Sequence, residues 1–161
     1  MRAVMLFVAG VTAGLAVQVA VAQRGNTGVV MMNHVGISVA NIPEAVTYYT
    51  QKMGYKEAFR VTAENGQPTI VYMQISKNTF LELNQATPER PQGFTHYGLH
   101  VENAAAAVAM FKERGLTVSG PNVSAGTKAI LANITDPYMG RIELLELTPT
   151  SLHQRAIQTW K

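Results

Sequence analysis

A chain of 161 residues, 47% apolar and 14% charged, holds enough material for one domain with a real core. Its formal charge of +3 is spread along the chain, with no basic run and no aromatic-interleaved basic patch, which argues against a nucleic-acid partner. The lack of cysteine excludes disulfides, thiolate metal ligands, a thiol nucleophile and CxxC redox work.

The first residues read as a targeting segment. Arg2 precedes an apolar run over residues 3–17, and Ala20-Val21-Ala22 supplies the small-residue pattern of a cleavage site before Gln23. Residues 1–22 are therefore expected to be a secretory signal peptide, making the mature protein secreted or periplasmic and free of the membrane. The competing reading is an uncleaved anchor, since residues 3–22 could just cross a bilayer core of about 30 Å. Gly10, Gly14 and Gln18 within the run favour the signal. Residues 23–29 form a polar, glycine-containing lead-in.

The body of the chain, residues 30–149, contains the same unit twice. Strand composition over 30–39 is followed by Asn41-Ile42-Pro43-Glu44, a helix start with a capping Asn, a first-turn Pro and an acidic residue at the positive helix end. Val46, Tyr49 and Met53 recur at helical spacing and Gly54 closes the helix. Strands are expected over 55–62, 69–76 and 79–84, separated by Glu64-Asn65-Gly66 and Lys77-Asn78. A linker over 85–93 carries Pro88, Pro91 and Gly93. The second unit, 94–147, repeats the order. A strand covers 94–101, Asn103 caps a helix over 104–114, and Gly115 ends it. A strand begins over 116–119, a loop spans 120–126, and strands cover 128–135 and 141–147 on either side of a turn at 136–140. Residues 150–161 read as a short helix or a loose tail, with Trp160 as an anchor.

The repeat is visible in the residues themselves. Asn33-His34-Val35-Gly36-Ile37-Ser38-Val39-Ala40-Asn41 returns as Thr95-His96-Tyr97-Gly98-Leu99-His100-Val101-Glu102-Asn103, an offset of 62. Phe80-Leu81-Glu82-Leu83 returns as Arg141-Ile142-Glu143-Leu144, an offset of 61. Each unit thus opens on a strand carrying a His and closes on one carrying a Glu. Strand alternation puts His34, Gly36 and Ser38 on one face, and His96, Gly98 and His100 likewise. A carboxylate among apolar strand residues needs a partner, a metal or a wet cavity. If the units pair about a pseudo-two-fold axis, His34, Glu82, His96 and Glu143 converge, a donor set suited to Zn, Ni, Co or Fe as a divalent ion. The register of the repeat matches His34 with His96 and leaves His100, like Ser38, for the substrate pocket or a satisfied structural role. Tyr72 and Gln74 face either the cleft or the opposite side. Glu146, an odd number of steps from Glu143, reads as a solvated strand residue.

At these residues the chain resembles the vicinal oxygen chelate superfamily, which includes glyoxalase I, methylmalonyl-CoA epimerase, extradiol dioxygenases and fosfomycin- and bleomycin-resistance proteins. The resemblance runs over about residues 31–147. It includes His34 followed by Asn41-Ile42-Pro43-Glu44-Ala45, then Tyr48-Tyr49 and Gly54, and Asp136-Pro137 leading into Gly140-Arg141-Ile142-Glu143-Leu144. It implies an α+β fold of two paired βαβββ modules, with a cupped mixed sheet around a metal cleft and His34, Glu82, His96 and Glu143 as ligands. The His/Glu/His/Glu order is most similar to glyoxalase I. That likeness implies a metal-dependent isomerase or lyase chelating neighbouring oxygens of a small substrate, with Glu143 as general base and Glu82 as its pseudo-symmetric alternative. It also implies a homodimer. Two other readings stand beside it: an Fe(II)-dependent extradiol-type dioxygenase, and a ligand-sequestering protein of the bleomycin-resistance type. No cation follows His34 at Val35-Gly36-Ile37-Ser38, where glyoxalase I often has an Arg.

Overall fold

Alternation of apolar and polar residues along eight strands builds one continuous mixed sheet in the computed structural model, which describes residues 28–161. The expected signal peptide lies outside the described residues. The elements are β1 Val29–Val39, α1 Ile42–Gln51, β2 Lys56–Thr62, β3 Pro68–Ser76, β4 Thr79–Gln85, β5 Gly93–Val101, α2 Ala104–Glu113, β6 Val118–Val123, β7 Ile130–Asp136, β8 Gly140–Glu146 and α3 Leu152–Thr159. No helix among the described residues is long and apolar enough to cross a membrane.

The strand order β2-β3-β4-β1-β5-β8-β7-β6 shows the duplication directly. Within each unit the first strand pairs in parallel with the last, β1 with β4 and β5 with β8, and the units meet where β1 and β5 run antiparallel. The expected α+β fold of two βαβββ modules is what forms.

Both caps expected from the sequence are in place. Asn41 accepts from the Glu44 backbone N–H at 3.1 Å and Asn103 from that of Ala106 at 2.8 Å. α1 buries Ile42 against Val71, Met73, Leu81 and Leu83 on one side of the sheet, and α2 covers Val101, Ile134, Ile142 and Leu144. On the strands these are the odd positions of β3, β4 and β5 and the even positions of β7 and β8. The opposite, concave face therefore receives His34, Tyr72, Glu82, His96 and Glu143.

Two expectations need correction, and one open alternative is decided. β6 does not stop at Ser119; it runs to Val123 across a register shift between Ser119 and Asn122. The sheet tolerates Pro121 there because β6 is an edge strand, where a missing N–H breaks no ladder on its outer side. Glu146 is not a solvated residue. It faces the helix layer, and its Oε2 accepts the Ala104 backbone N–H at 2.8 Å, meeting the positive end of α2. Of the two readings of the C-terminal segment, the short helix is the one that forms. Ser151 caps α3, which lies on the concave face of the first module and buries Ala156 against Tyr72 and Phe80. Trp160 is the expected anchor, held under the Lys56 ammonium at 4.8 Å.

Candidate metal centre

The centre is built by the seam between β1 and β5. In the antiparallel register His34 stands opposite Gly98, and His96 opposite Gly36. In the two parallel pairs Glu82 lies beside Gly36 and Glu143 beside Gly98. One row across the sheet thus reads Glu82, Gly36, His96, and the next His34, Gly98, Glu143. A Cβ on Gly36 would lie 2.3 Å from His96 Cε1, and one on Gly98 would lie 2.1 Å from His34 Cε1. Each module's imidazole occupies the space left by the other module's glycine, so the repeated His-x-Gly has a steric meaning.

The four side chains are sequestered, with exposures of 0% for both histidines, 4% for Glu82 and 6% for Glu143. One donor atom from each lies within 4.8 Å of all the others. His34 Nε2 stands 3.0 Å from His96 Nε2, 3.4 Å from Glu82 Oε2 and 3.7 Å from Glu143 Oε1; His96 Nε2 is 3.5 Å from Glu82 Oε2. Donors about 2.1 Å from a common centre stand ~3.0 Å apart at right angles and ~3.4 Å apart at tetrahedral angles. The observed spacings suit a divalent ion.

The tautomers agree. Asn33 Oδ1, an acceptor, lies 3.1 Å from His34 Nδ1, and Thr95 Oγ1 lies 2.9 Å from His96 Nδ1. With Nδ1–H directed to Asn33, the Nε2 lone pair of His34 points at the centre, as in a metal-ligating histidine held by an outer partner. Asn33 and Thr95 occupy equivalent positions of the repeat, so both partners precede their histidine in the sequence.

The two carboxylates differ in how they are held. Glu82 accepts from Tyr72 Oη at 2.5 Å and from Asn84 Nδ2 at 2.8 Å, one bond to each oxygen. Burial by itself would raise its pKa, but the bonds and charges of His96, His34 and Tyr72 outweigh that and hold it below the usual carboxylate range. Glu143 has only Arg141 Nη1, 3.3 Å from its Oε2. Burial and the charge of Glu82 push it up to about 7, against the guanidinium of Arg141. Burial lowers His34 to about 3.

Tyr72 therefore faces the centre and orients Glu82. Gln74 shares its face but serves α3, donating to the Lys77 carbonyl at 3.0 Å and the Ala156 carbonyl at 3.4 Å. His100 stays outside the four-residue set; it is half-buried on β5, and its charge acts on His153. Ser38 is buried, and its hydroxyl has no protein partner.

His153 is the residue the sequence analysis did not single out. α3 places it, fully buried, in a box of Phe59, Tyr72, Phe80 and His34, stacked against the His34 ring at 6.2 Å. Neither of its ring nitrogens has a protein hydrogen-bond partner. Burial lowers its pKa to about 4. No repeat partner marks it, since α3 lies outside the duplicated unit.

The comparisons with known proteins agree with this architecture. The sequence model of the Glyoxalase/Bleomycin resistance protein/Dioxygenase superfamily matches residues 31–144. The fold is similar to that of methylmalonyl-CoA epimerase from Mycobacterium tuberculosis, at 18% identity over 79% of this chain and 96% of that one, with a TM-score of 0.66. It is also similar to the 2,3-dioxygenase LapB from Pseudomonas sp. KL28, at 20% identity over 78% of this chain and 46% of that one, with a TM-score of 0.65. No curated protein matches the chain. With a matched stretch spanning both βαβββ modules and all four buried candidate ligands, the chain belongs to the Glyoxalase/Bleomycin resistance protein/Dioxygenase superfamily, that of the vicinal oxygen chelate fold.

Proposed function

We propose that the protein is a metal-dependent isomerase or lyase of the glyoxalase I type, moving a proton at a carbon next to two neighbouring oxygens of a small substrate. The observation that carries this reading is the unequal support of the two carboxylates. Glu82 is clamped on both oxygens by Tyr72 and Asn84, whereas Glu143 has a single long bond and a pKa raised to about 7. A fixed anionic ligand and a loosely held carboxylate are the two parts that proton abstraction needs.

A divalent cation bound by His34, Glu82, His96 and Glu143 supplies a Lewis acid for the substrate's paired oxygens. Around it, Asn33 and Thr95 keep both imidazoles turned inward, and Tyr72 keeps Glu82 in place. Glu143, held only by the long bond from Arg141, takes the proton from carbon and returns it. Four complete ligands weigh against the dioxygenase reading, which by resemblance uses three, and against a purely sequestering role. Export directed by residues 1–22 and assembly as a homodimer belong to the same proposal.

Elemental analysis of the purified protein tests it. About one divalent ion per chain is expected, with His34→Ala and His96→Ala reducing it below a tenth. Glu143→Gln is expected to slow solvent-deuterium exchange into a turned-over substrate by about 10²–10⁴-fold. Negligible metal in the wild-type protein, or content unchanged by both histidine substitutions, would sink the proposal.

A further inference from the structure

Next to the metal centre lies a cleft of about 540 Å³ lined by Arg90, Phe94, Thr95 and Arg141, with Glu89 also on its rim. One of its two cations comes from the linker and the other from β8, and each is tied to a residue of the centre. Arg141 donates through Nη1 to Glu143 at 3.3 Å and to Asn133 Oδ1 at 3.2 Å. Arg90, at the end of the linker, donates through Nη1 to Asn84 Oδ1 at 3.3 Å and through Nη2 to the Gln85 carbonyl at 2.8 Å. Asn84 in turn holds Glu82.

A guanidinium offers five N–H donors. Among the described residues, Nε and Nη2 of Arg141 and Nε of Arg90 have no protein acceptor. In the sheet Ser38 stands between Asn84 and Gly93, one pleat step from Gly36 in the row of Glu82 and His96. Ser38 is 97% buried (3% exposed), and its hydroxyl has no protein partner either. Free N–H groups of two solvent-exposed arginines, each tied to a residue of the centre, line this cleft and offer an anion a place between them.

We propose that this cleft is the specificity site of the centre, and that the substrate carries a carboxylate which Arg90 and Arg141 take up. This inference rests on the metal reading above and narrows its substrate class to small anionic molecules with two neighbouring oxygens at one end and a carboxylate at the other. The planar fork of each guanidinium matches a carboxylate, and Phe94, half-exposed on the same wall, packs the carbon chain between the two ends.

Two chelating probes separate the claims, titrated calorimetrically into the metal-loaded protein. Acetohydroxamate offers paired oxygens alone, and succinic acid monohydroxamate adds a carboxylate. The second is expected to bind about tenfold more tightly, a difference of ~1.4 kcal/mol. Arg90→Gln and Arg141→Gln should bring the ratio of the two affinities near one, and Arg90→Lys should restore part of it. Equal affinities in the wild type, or a ratio untouched by both Gln variants, overturn the anion site and leave the metal reading standing. If acetohydroxamate fails to bind while the carboxylate probe binds in an Arg90-dependent way, the metal reading falls and the anion site stands.

Discussion

A methyl group on Gly98 would lie 2.1 Å from Cε1 and 2.4 Å from Nδ1 of His34, a ring with no room to retreat because it is fully buried. Gly98→Ala therefore has to displace a ligand. It is expected to weaken metal affinity by about 10–100-fold and to cost about 1–3 kcal/mol through overpacking. Chelator competition and urea unfolding read the two effects, and normal affinity in the variant would refute the steric account. His153 makes the opposite case. Its nitrogens have no protein partner within a box of Phe59, Tyr72, Phe80 and His34. Replacing it with Phe removes buried polar atoms at similar volume, so His153→Phe is expected to raise unfolding free energy by about 1–3 kcal/mol. A loss of stability on that substitution would mean the imidazole is satisfied in solution.

The two helices on the convex side start by different means. α1 begins with a reciprocal pair, Asn41 and Glu44, bonded in both directions at 3.0 and 3.1 Å. α2 has no acidic residue in its first turn, and Glu146 from the end of β8 takes that place. Removing it leaves the Ala104 N–H without its partner at a positive helix end. Glu146→Ala should cost about 1–2 kcal/mol in urea unfolding. A neutral result would show that Asn103 alone suffices. α3 acts at the same scale: Lys56 donates to the Lys161 carbonyl at 2.9 Å and lies over Trp160, tying the last turn to β2.

For the whole molecule, the buried ionisable groups set how the metal-free protein responds to acid. His34 and His153 have folded pKa values of about 3 and about 4 against an ordinary 6.5, so below pH 6.5 the unfolded chain binds more protons and stability falls as pH drops. Glu143 works in reverse: raised to about 7 from 4.5, it adds stability as pH falls from 7 to 4.5. Burial lowers the pKa of half-buried His100 as well, so three histidines outweigh Glu143 and stability falls as pH drops from 6.5 to 4.5. Below 4.5 the offset ends, and Glu82, held below its ordinary range, begins to be lost as well. Stability of the metal-free protein should therefore peak near pH 6.5–7 and fall more steeply under pH 4.5 than above it. Urea unfolding across pH 3.5–8 measures the curve, and a maximum near pH 5 would contradict the assignment of these burial costs.

The amino-acid sequence alone carried the duplicated unit, the two asparagine caps and the convergence of His34, Glu82, His96 and Glu143. Each of these is a local pattern or a register repeated at a fixed offset of 61 or 62 residues. Alternation also separated the face of His34 and His96 from the face of the core. What alternation cannot say is which strands become neighbours. The antiparallel meeting of β1 and β5 turned His-x-Gly into two interlocking holes. The linker's return onto β4 brought Arg90 beside the centre, and the folding back of α3 buried His153 against His34. Glu146 was misjudged for the same reason: its partner, the start of α2, lies 42 residues away and meets it only once the sheet is assembled. Periodicity along a strand is a one-dimensional signal, and contacts between modules are decided by strand order and by what each helix covers.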